Sequence, residues 1–237
     1  MKLSRSQMVL YGLWGLLGVS ALLAIYERTW SLLFISVVTF LLTLGPRVVE
    51  TWADIRIPPS FVAAIALFVL GTIFLGEVFD FYNRFWWWDV VMHFGSAIGF
   101  GLIGFVIVLM MFKGDVYAAP PSLIAMFAFT FAVSIGAIWE IFEYFMDQTF
   151  GTNMQKSGLV DTMNDLIVDC CGAFLGALSG YLYLRQERAG GFAWVIHEFI
   201  EDNPKFFPKR VKRIAEEKAA KAQSLRGGAP AKDAEGA

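Results

Sequence analysis

Long apolar runs alternate with short polar segments along most of this chain. A helix rises about 1.5 Å per residue, so about 20 apolar residues cross the roughly 30 Å hydrocarbon core of a bilayer. The pattern predicts six spans, which cover residues 8–26, 30–44, 61–79, 90–112, 122–146 and 159–184. The second is the shortest, and a tilted or re-entrant helix there would reduce the count to five.

The composition strengthens this interpretation. Of the 237 residues, 57% are hydrophobic and 17% are charged, which excludes an ordinary soluble domain. We therefore expect an all-α, polytopic membrane helical bundle surrounded by membrane lipids. The formal net charge of -2 gives no basic surplus that would favour nucleic acid as a partner.

The positive residues predict the orientation, because cytoplasmic segments of membrane proteins are enriched in Lys and Arg. With six spans, one side carries Lys2, Arg5, Arg47, Arg56, Lys113 and the basic residues from Arg185 onward. The other side carries Arg28, Arg84 and Lys156. We therefore expect both termini in the cytoplasm and the protein in a bacterial inner membrane.

Ionisable residues within the apolar runs gather at the end of the bundle opposite the termini. Such groups are costly in hydrocarbon unless they are paired, hydrated or metal-bound, so a cluster of them predicts a functional site. The cluster comprises Glu77, Asp80, Asp89, His93, Glu140, Glu143, Asp147, Asp161, Asp165 and Asp169. Glu77, Asp80 and Asp147 come nearest the surface, where ion pairing, such as that of Asp80 with Arg84, is a sufficient explanation.

Spacing predicts which of these side chains converge, because residues three or four apart share a helix face. The pairs are Asp89 with His93, Glu140 with Glu143, and Asp161 with Asp165. Asp169 lies partly round the face of Asp165. That face continues as Gly172, Gly176 and Gly180, small residues that allow close helix packing, so we expect it to point into the bundle.

Carboxylates packed together at low dielectric cannot all stay charged without compensation, which a divalent cation supplies. One imidazole with several carboxylates suits Mg, Mn, Fe or Zn. The predicted metal ligands are Asp89, His93, Glu140, Asp161 and Asp165. Glu143 or Asp169 is predicted to be a catalytic general base or to orient a ligand. In the alternative interpretation, Asp89 and Asp161 are solvated and are favoured by the helix dipole alone.

The chain divides into four predicted parts. Residues 1–57 form two scaffold spans with a cytoplasmic loop, and residues 58–184 form a four-helix core with the site. Residues 185–223 form an amphipathic segment at the cytoplasmic interface. Its basic patch, which favours anionic headgroups, contains Lys205, Lys209, Arg210, Lys212 and Arg213. Residues 224–237 are rich in Gly, Ala and Pro and are expected to be disordered.

The hairpin of spans three and four is similar to that of spans five and six. The segment DVVMH from Asp89 to His93 aligns with DLIVD from Asp165 to Asp169, and small residues follow each. Such repeats in membrane proteins place the functional site at their interface.

Three motifs follow one another in the last four spans: DVVMHFG from Asp89, EIFEY from Glu140, and DTMND from Asp161 with Gly172 beyond it. In this order they resemble the YjdF-like family of predicted bacterial inner-membrane proteins, over roughly residues 77–184. Lys156, Ser157 and Gly158 stand where that family leads us to expect Gln-Gly-Asp. The resemblance implies location and topology but no reaction. The scatter of Asp, His and Glu at helix ends is also similar, less closely, to that of VanZ-like membrane proteins.

Three functions fit these residues. The first is a metal-dependent hydrolase or transferase that acts on a lipid or lipid-linked substrate near the periplasmic face. The second is a proton- or cation-coupled transporter, with Asp169, about 12 Å deeper than Asp161, as its first step. The third is a non-catalytic scaffold or partner whose polar cluster fixes helix register. The acids do not continue towards the cytoplasmic half, which favours the first function.

Overall fold

The computed structural model describes residues 5–112, 119–186 and 190–227, and this part of the chain is helical apart from turns and loops. The α-helices are α1 (Arg5–Tyr26), α2 (Trp30–Thr43), α3 (Gly45–Ala53), α4 (Pro59–Val69), α5 (Phe81–Arg84), α6 (Trp88–Met111), α7 (Pro121–Phe150), α8 (Leu159–Gln186), α9 (Ala193–Asp202) and α10 (Pro208–Gly227). A π-helical segment, Leu70–Val78, continues α4 without a break. Lys2 and Lys113, used above to predict the orientation, lie outside the described residues.

Six helical segments in the described part are long and apolar enough to cross a membrane, which confirms the prediction of six spans. They are Gln7–Tyr26, Trp30–Ala53, Pro59–Val78, Trp88–Met111, Pro121–Phe150 and Leu159–Arg185. The second segment has 24 residues because α3 follows α2 after the single residue Leu44. The second segment is therefore long enough to cross a membrane, although its apolar run alone is short.

Helices α6, α7 and α8 pack together, and the interface between α6 and α8 is the most extensive in the bundle. Glycine permits it: a Cβ added at Gly172 would lie 2.5 Å from the carbonyl oxygen of Phe94, and one at Gly176 would lie 2.6 Å from that of Ile98. Gly180 lies against Phe105 in the same way. The contacts advance in the same direction along both helices, so α6 and α8 run parallel, with the glycine face inside as predicted.

The first three spanning segments form a second packing unit. Its buried apolar side chains are Leu10, Leu13, Leu17, Ala66, Leu70 and Phe74. The third segment therefore packs against the two helices predicted to be a scaffold. The side chains predicted to form the site come from the other half of the molecule.

Helix α9 packs on the end of the bundle where α6 and α8 finish, here called the tail end. Ile196, Phe199 and Ile200 of α9 are buried in one apolar cluster with Phe105 and Leu109 of α6. The apolar face of this amphipathic helix is thus turned to the protein's own core.

Two details of the predicted interfacial segment are corrected. Arg210 was expected in a basic surface patch, yet it is buried, because α10 begins against the core cluster that includes Phe207 and Ile214. Helix α10 continues to Gly227, so the first four residues of the predicted disordered tail are helical. Residues 228–237 lie outside the described part.

Candidate metal centre

The starts of α6 and α8 meet the last third of α7 at one end of the bundle, here called the acidic end. Helix α6 contributes Asp89 and His93, α7 contributes Glu140 and Glu143, and α8 contributes Asp161, Asp165 and Asp169. Because α6 and α8 run parallel, successive turns of the two helices lie side by side. This arrangement places the two halves of the repeat predicted from the sequence next to each other.

His93 lies at the centre of the cluster and faces all three helices. Its Nδ1 is 3.3 Å from Asp169 Oδ1. Its Nε2 is 3.9 Å from Asp89 Oδ1 and 4.0 Å from Glu140 Oε1. One ring nitrogen therefore has a close carboxylate neighbour, whereas the other faces two carboxylates across a wider space.

Two groups of three side chains have the geometry to hold a metal ion, and they share Asp165. The first, here the inner trio, is His93, Glu140 and Asp165, all of them buried. The second, here the outer trio, is Asp89, Asp161 and Asp165. Within each trio the candidate ligand atoms lie within 4.8 Å of one another. The structure thus brings together all five predicted metal ligands; that they bind a metal stays a prediction.

Two buried carboxylates of the cluster have oxygens without a hydrogen-bond partner. Glu140 is 4% exposed, and neither of its oxygens has a partner among the described residues. Asp169 is 1% exposed, and its Oδ2 also lacks one. Buried polar atoms in native proteins are almost always satisfied, so each exception requires a physical explanation. A cation between the helices would satisfy Glu140.

Asp169 owes its position to a glycine on the neighbouring helix. A Cβ added at Gly136 of α7 would lie only 2.1 Å from Asp169 Oδ2, so a larger residue would push this carboxylate away. Held there, Asp169 faces His93 and suits the predicted task of orienting a ligand. Asp169 therefore lies nearer the middle of the acidic cluster than the sequence suggested.

Glu143, the other predicted catalytic residue, lies beside the trios. Its Oε1 accepts a hydrogen bond from Trp139 Nε1 at 2.9 Å, and the side chain is buried. Glu143 belongs to neither trio. Its carboxylate is therefore available for a role other than metal binding.

Lys156 is the member of the site that sequence analysis missed. Its Nζ donates to Asp89 Oδ2 at 3.0 Å and lies 5.0 Å from the centre of the Tyr82 ring. Its backbone N–H donates to Asp161 Oδ2 at 3.1 Å. The loop between α7 and α8 thus brings a cation to the mouth of the cluster, where Lys156 and Asp89 are partly exposed.

Asp147 fixes the conformation of this loop. Its Oδ1 accepts hydrogen bonds from Thr152 Oγ1 at 2.7 Å and from the Met154 N–H at 2.8 Å. Its Oδ2 accepts one from the Gln155 N–H at 2.9 Å. The interpretation of Asp147 as merely a surface acid is incomplete, because its carboxylate determines where Lys156 lies.

The predicted pairing of Asp80 with Arg84 is wrong. The Asp80 carboxylate accepts a hydrogen bond from Asn83 Nδ2 at 2.7 Å, and no ion pair joins it to Arg84 in the described part of the chain. Asp80 starts α5 with a left-handed backbone, φ 59°, which favours the nearby amide as its partner.

Tyr82 connects the π-helical segment to the site. Its ring lies so close to Gly76 that an added Cβ there would be 2.3 Å away. Burial raises the pKa of the Tyr82 hydroxyl, and the negative charge of Asp89 raises it further, so this phenol stays protonated beneath the Lys156 ammonium. An open recess lined by Arg28, Trp30 and Glu77 lies at the same end but shares no residue with the trios.

Comparison with known proteins supports the membrane assignment. Residues 8–186 match the family described as Predicted membrane protein (DUF2238). A protein of Thermotoga maritima, named only as an uncharacterized protein, is 28% identical over 158 residues, which cover 65% of this chain and 79% of that relative. No solved structure matches. These comparisons do not name the YjdF-like or VanZ-like families, so both resemblances stay predictions.

Proposed function

Because the chain belongs to this family of predicted membrane proteins and gathers its acids around one histidine, we propose that it is a metal-dependent membrane enzyme. The reaction is hydrolysis of, or group transfer to or from, a lipid or lipid-linked phosphate or ester. In keeping with the predicted orientation, the acidic end is the periplasmic end, in a bacterial inner membrane.

One observation carries the proposal: Glu140 is buried with both carboxylate oxygens lacking partners, next to His93 and Asp165. Burying a carboxylate without hydrogen bonds is unfavourable, and the nearest positive group is the His93 ring, whose Nε2 lies 4.0 Å from Oε1. A protein retains such a group where a ligand compensates it. Carboxylates with one imidazole form a donor set that suits Mg, Mn, Fe or Zn.

The neighbouring side chains suit catalysis at such a centre. His93 turns Nε2 towards the candidate ligands while Asp169 faces Nδ1, the arrangement by which a carboxylate orients a metal-bound imidazole. A bound divalent cation would polarise a phosphoryl or carbonyl oxygen. Lys156 lies where it can attract an anionic substrate, and Glu143, outside both trios, is the proposed general base.

The test uses detergent-purified protein stripped with a chelator and assayed on lipid phosphates, lipid-linked phosphates and lipid esters. We expect turnover to need one of the four metals and to be lost in Asp165→Asn. Asp80→Asn is the matched control: it makes the same charge change at the same end, at an exposed site where Asn tolerates the left-handed backbone. It should retain activity. Failure of every metal to bind the wild-type protein would refute the proposal.

Transport is less well supported. Below Asp169, the buried residues of α8 as far as Tyr183 are glycine and alanine. On α6, the buried residues beyond His93 are apolar. A proton or cation pathway requires polar groups along its length, and the buried residues of α6 and α8 in the described part provide none at this depth. A scaffold role would leave the unpartnered carboxylate of Glu140 unexplained.

A further inference from the structure

We propose that the acidic end binds two divalent cations, with the Asp165 carboxylate shared between them. This inference rests on the proposed function, since it specifies how many ions the same centre holds. It follows from the overlap of the inner and outer trios at one residue. A carboxylate has two oxygens, so it can serve one ion with each.

The inner ion would be held by His93, Glu140 and Asp165. All three side chains are buried, and Glu140 directs two unsatisfied oxygens into this space. Asp165 is 4% exposed and accepts no hydrogen bond from any described residue. These groups are already removed from water, so an ion binding here gains several charged ligands without further desolvation of the protein.

The outer ion would be held by Asp89, Asp161 and Asp165, nearer the surface. The ammonium of Lys156 already contacts Asp89, so this position favours a positive charge. The lysine cannot reach every acid of the trio at once: its Nζ hydrogen bond goes to Asp89, while Asp161 takes the backbone N–H. Asp165 therefore has no direct partner on this side either.

The number of carboxylates around the two trios also favours more than one ion. Six carboxylates of α6, α7 and α8 surround His93: Asp89, Glu140, Glu143, Asp161, Asp165 and Asp169. The cationic side chains that contact them are His93 and Lys156. A histidine that binds a metal is neutral, so with all six acids ionised the Lys156 ammonium leaves five negative charges. One divalent ion would leave three of these charges in a medium of low dielectric, whereas two ions would leave one.

A pair of ions indicates the class of substrate. Two cations about 3.5 to 4 Å apart stabilise both the attacking and the leaving oxygen during displacement at phosphorus. The ammonium of Lys156 at the mouth adds a third positive charge for a phosphate. The pair therefore favours the phosphate ester of a lipid over a carboxylate ester.

The experiment counts ions with Mn²⁺ as the probe. Metal-stripped protein in detergent is dialysed against MnCl₂, bound manganese is measured by mass spectrometry, and the magnetic coupling of the ions is read by electron paramagnetic resonance. We expect about two ions per chain with a coupled spectrum. Glu140→Gln should lose the inner ion, Asp161→Asn should lose the outer ion, and both single-ion forms should be uncoupled.

Controls separate the possible failures. Asp80→Asn should keep both ions, and gel filtration with thermal unfolding checks that each variant is folded. One ion per chain in the wild type, lost equally in Glu140→Gln and Asp161→Asn, would overturn the two-ion inference and leave the metal centre standing. Two ions without coupling would also overturn it. Binding of none of the metals would overturn the proposed function itself.

Discussion

The two ends of the bundle bury polar side chains in opposite ways. At the tail end, Asn203 is 3% exposed: its Oδ1 accepts from the Arg56 N–H at 2.7 Å, and its Nδ2 donates to the carbonyls of Arg56 and Phe199 at 2.7 and 2.8 Å. At the acidic end, Glu140 is buried to nearly the same extent, and neither of its oxygens has a hydrogen-bond partner among the described residues. The two side chains are thus about equally buried, but Asn203 is fully hydrogen-bonded whereas Glu140 is not.

The tail end shows what a structural polar cluster looks like. Ser60 Oγ donates to Glu198 Oε2 at 2.8 Å, and the Ile57 N–H donates to Glu50 Oε1 at 2.8 Å. The first bond links α9 to α4, the second fixes the segment between α3 and α4 against α3, and the bonds of Asn203 join the end of α9 to that segment. Satisfied polar groups stabilise a fold, whereas unsatisfied ones destabilise it unless a ligand binds. The difference supports the proposal that the acidic end is the functional one.

The largest expected effect is that of Asn203→Ala on stability. The substitution removes three hydrogen bonds and leaves the Arg56 N–H and carbonyl without partners, so we expect a loss of about 2 to 4 kcal/mol. Thermal and denaturant unfolding in detergent measures it. Metal binding at the acidic end should not change.

The matched control is Asn164→Ala, at an exposed position of α8. Alanine is the better helix former, so this change should be neutral within about 0.5 kcal/mol. Equal losses in the two variants would show that Asn203 has no special stabilising role.

Gly136→Ala should affect the acidic end through packing. The new methyl group would overlap Asp169 Oδ2, so either α7 or the carboxylate must move. We expect a loss of about 1 to 3 kcal/mol from overpacking and metal binding weakened by about tenfold as Asp169 leaves His93. Manganese titration with unfolding curves measures both quantities.

Gly95→Ala provides the comparison, because nothing lies within 4 Å of its added Cβ. It should preserve metal affinity and hold or slightly raise stability, as Ala favours a helix over Gly. Unchanged metal affinity in Gly136→Ala would show that Asp169 does not support the ligand histidine.

Periodicity predicted the helices and the convergence of their acids because both follow from the repeat of about 3.6 residues per turn. It placed Asp89 with His93 and Asp161 with Asp165 on common faces, and the structure brings those faces together. It could not predict that Asp169 reaches His93. That contact depends on the rotation and close approach of α6 and α8, which Gly172 and Gly176 allow.

Lys156 escaped prediction for a different reason. Its place follows from a loop whose ends are two glycines with positive φ, Gly151 at 68° and Gly158 at 65°, and whose middle is fixed by Asp147. Backbone conformation of this kind has no periodic signature. The burial of Arg210 could not be predicted either. A basic residue among other basic residues is expected at the surface, and its burial depends on how α10 packs against the bundle.

Glu140→Gln should change the stability of the protein in opposite directions with and without metal. Without metal, replacing an unpartnered buried carboxylate by a neutral amide should raise stability by about 1 kcal/mol. With Mn²⁺, the wild type should become the more stable form, since only it keeps the full inner trio. Unfolding temperatures of both proteins, measured with and without MnCl₂, show whether their order of stability reverses. A variant less stable than the wild type in the absence of metal would mean that Glu140 has a partner there after all.

The smallest expected effect is local, and it tests whether the loop that carries Lys156 is structured by Asp147. In Asp147→Asn, an NH₂ group replaces one of the two acceptor oxygens and the charge is lost. Neither the Met154 nor the Gln155 N–H then has a charged partner, and one of them loses its acceptor. We expect their amide hydrogen exchange to quicken by about threefold to tenfold, while exchange in α6 and α8 stays the same. Asp80→Asn should leave the loop unaffected.

Because the loop positions Lys156, Asp147→Asn should weaken retention of a phosphate substrate without changing the number of manganese ions bound. Loss of manganese in this variant would instead show that the loop helps to build the metal centre. We would then have to abandon the proposal that the loop binds substrate while the helix bundle binds metal.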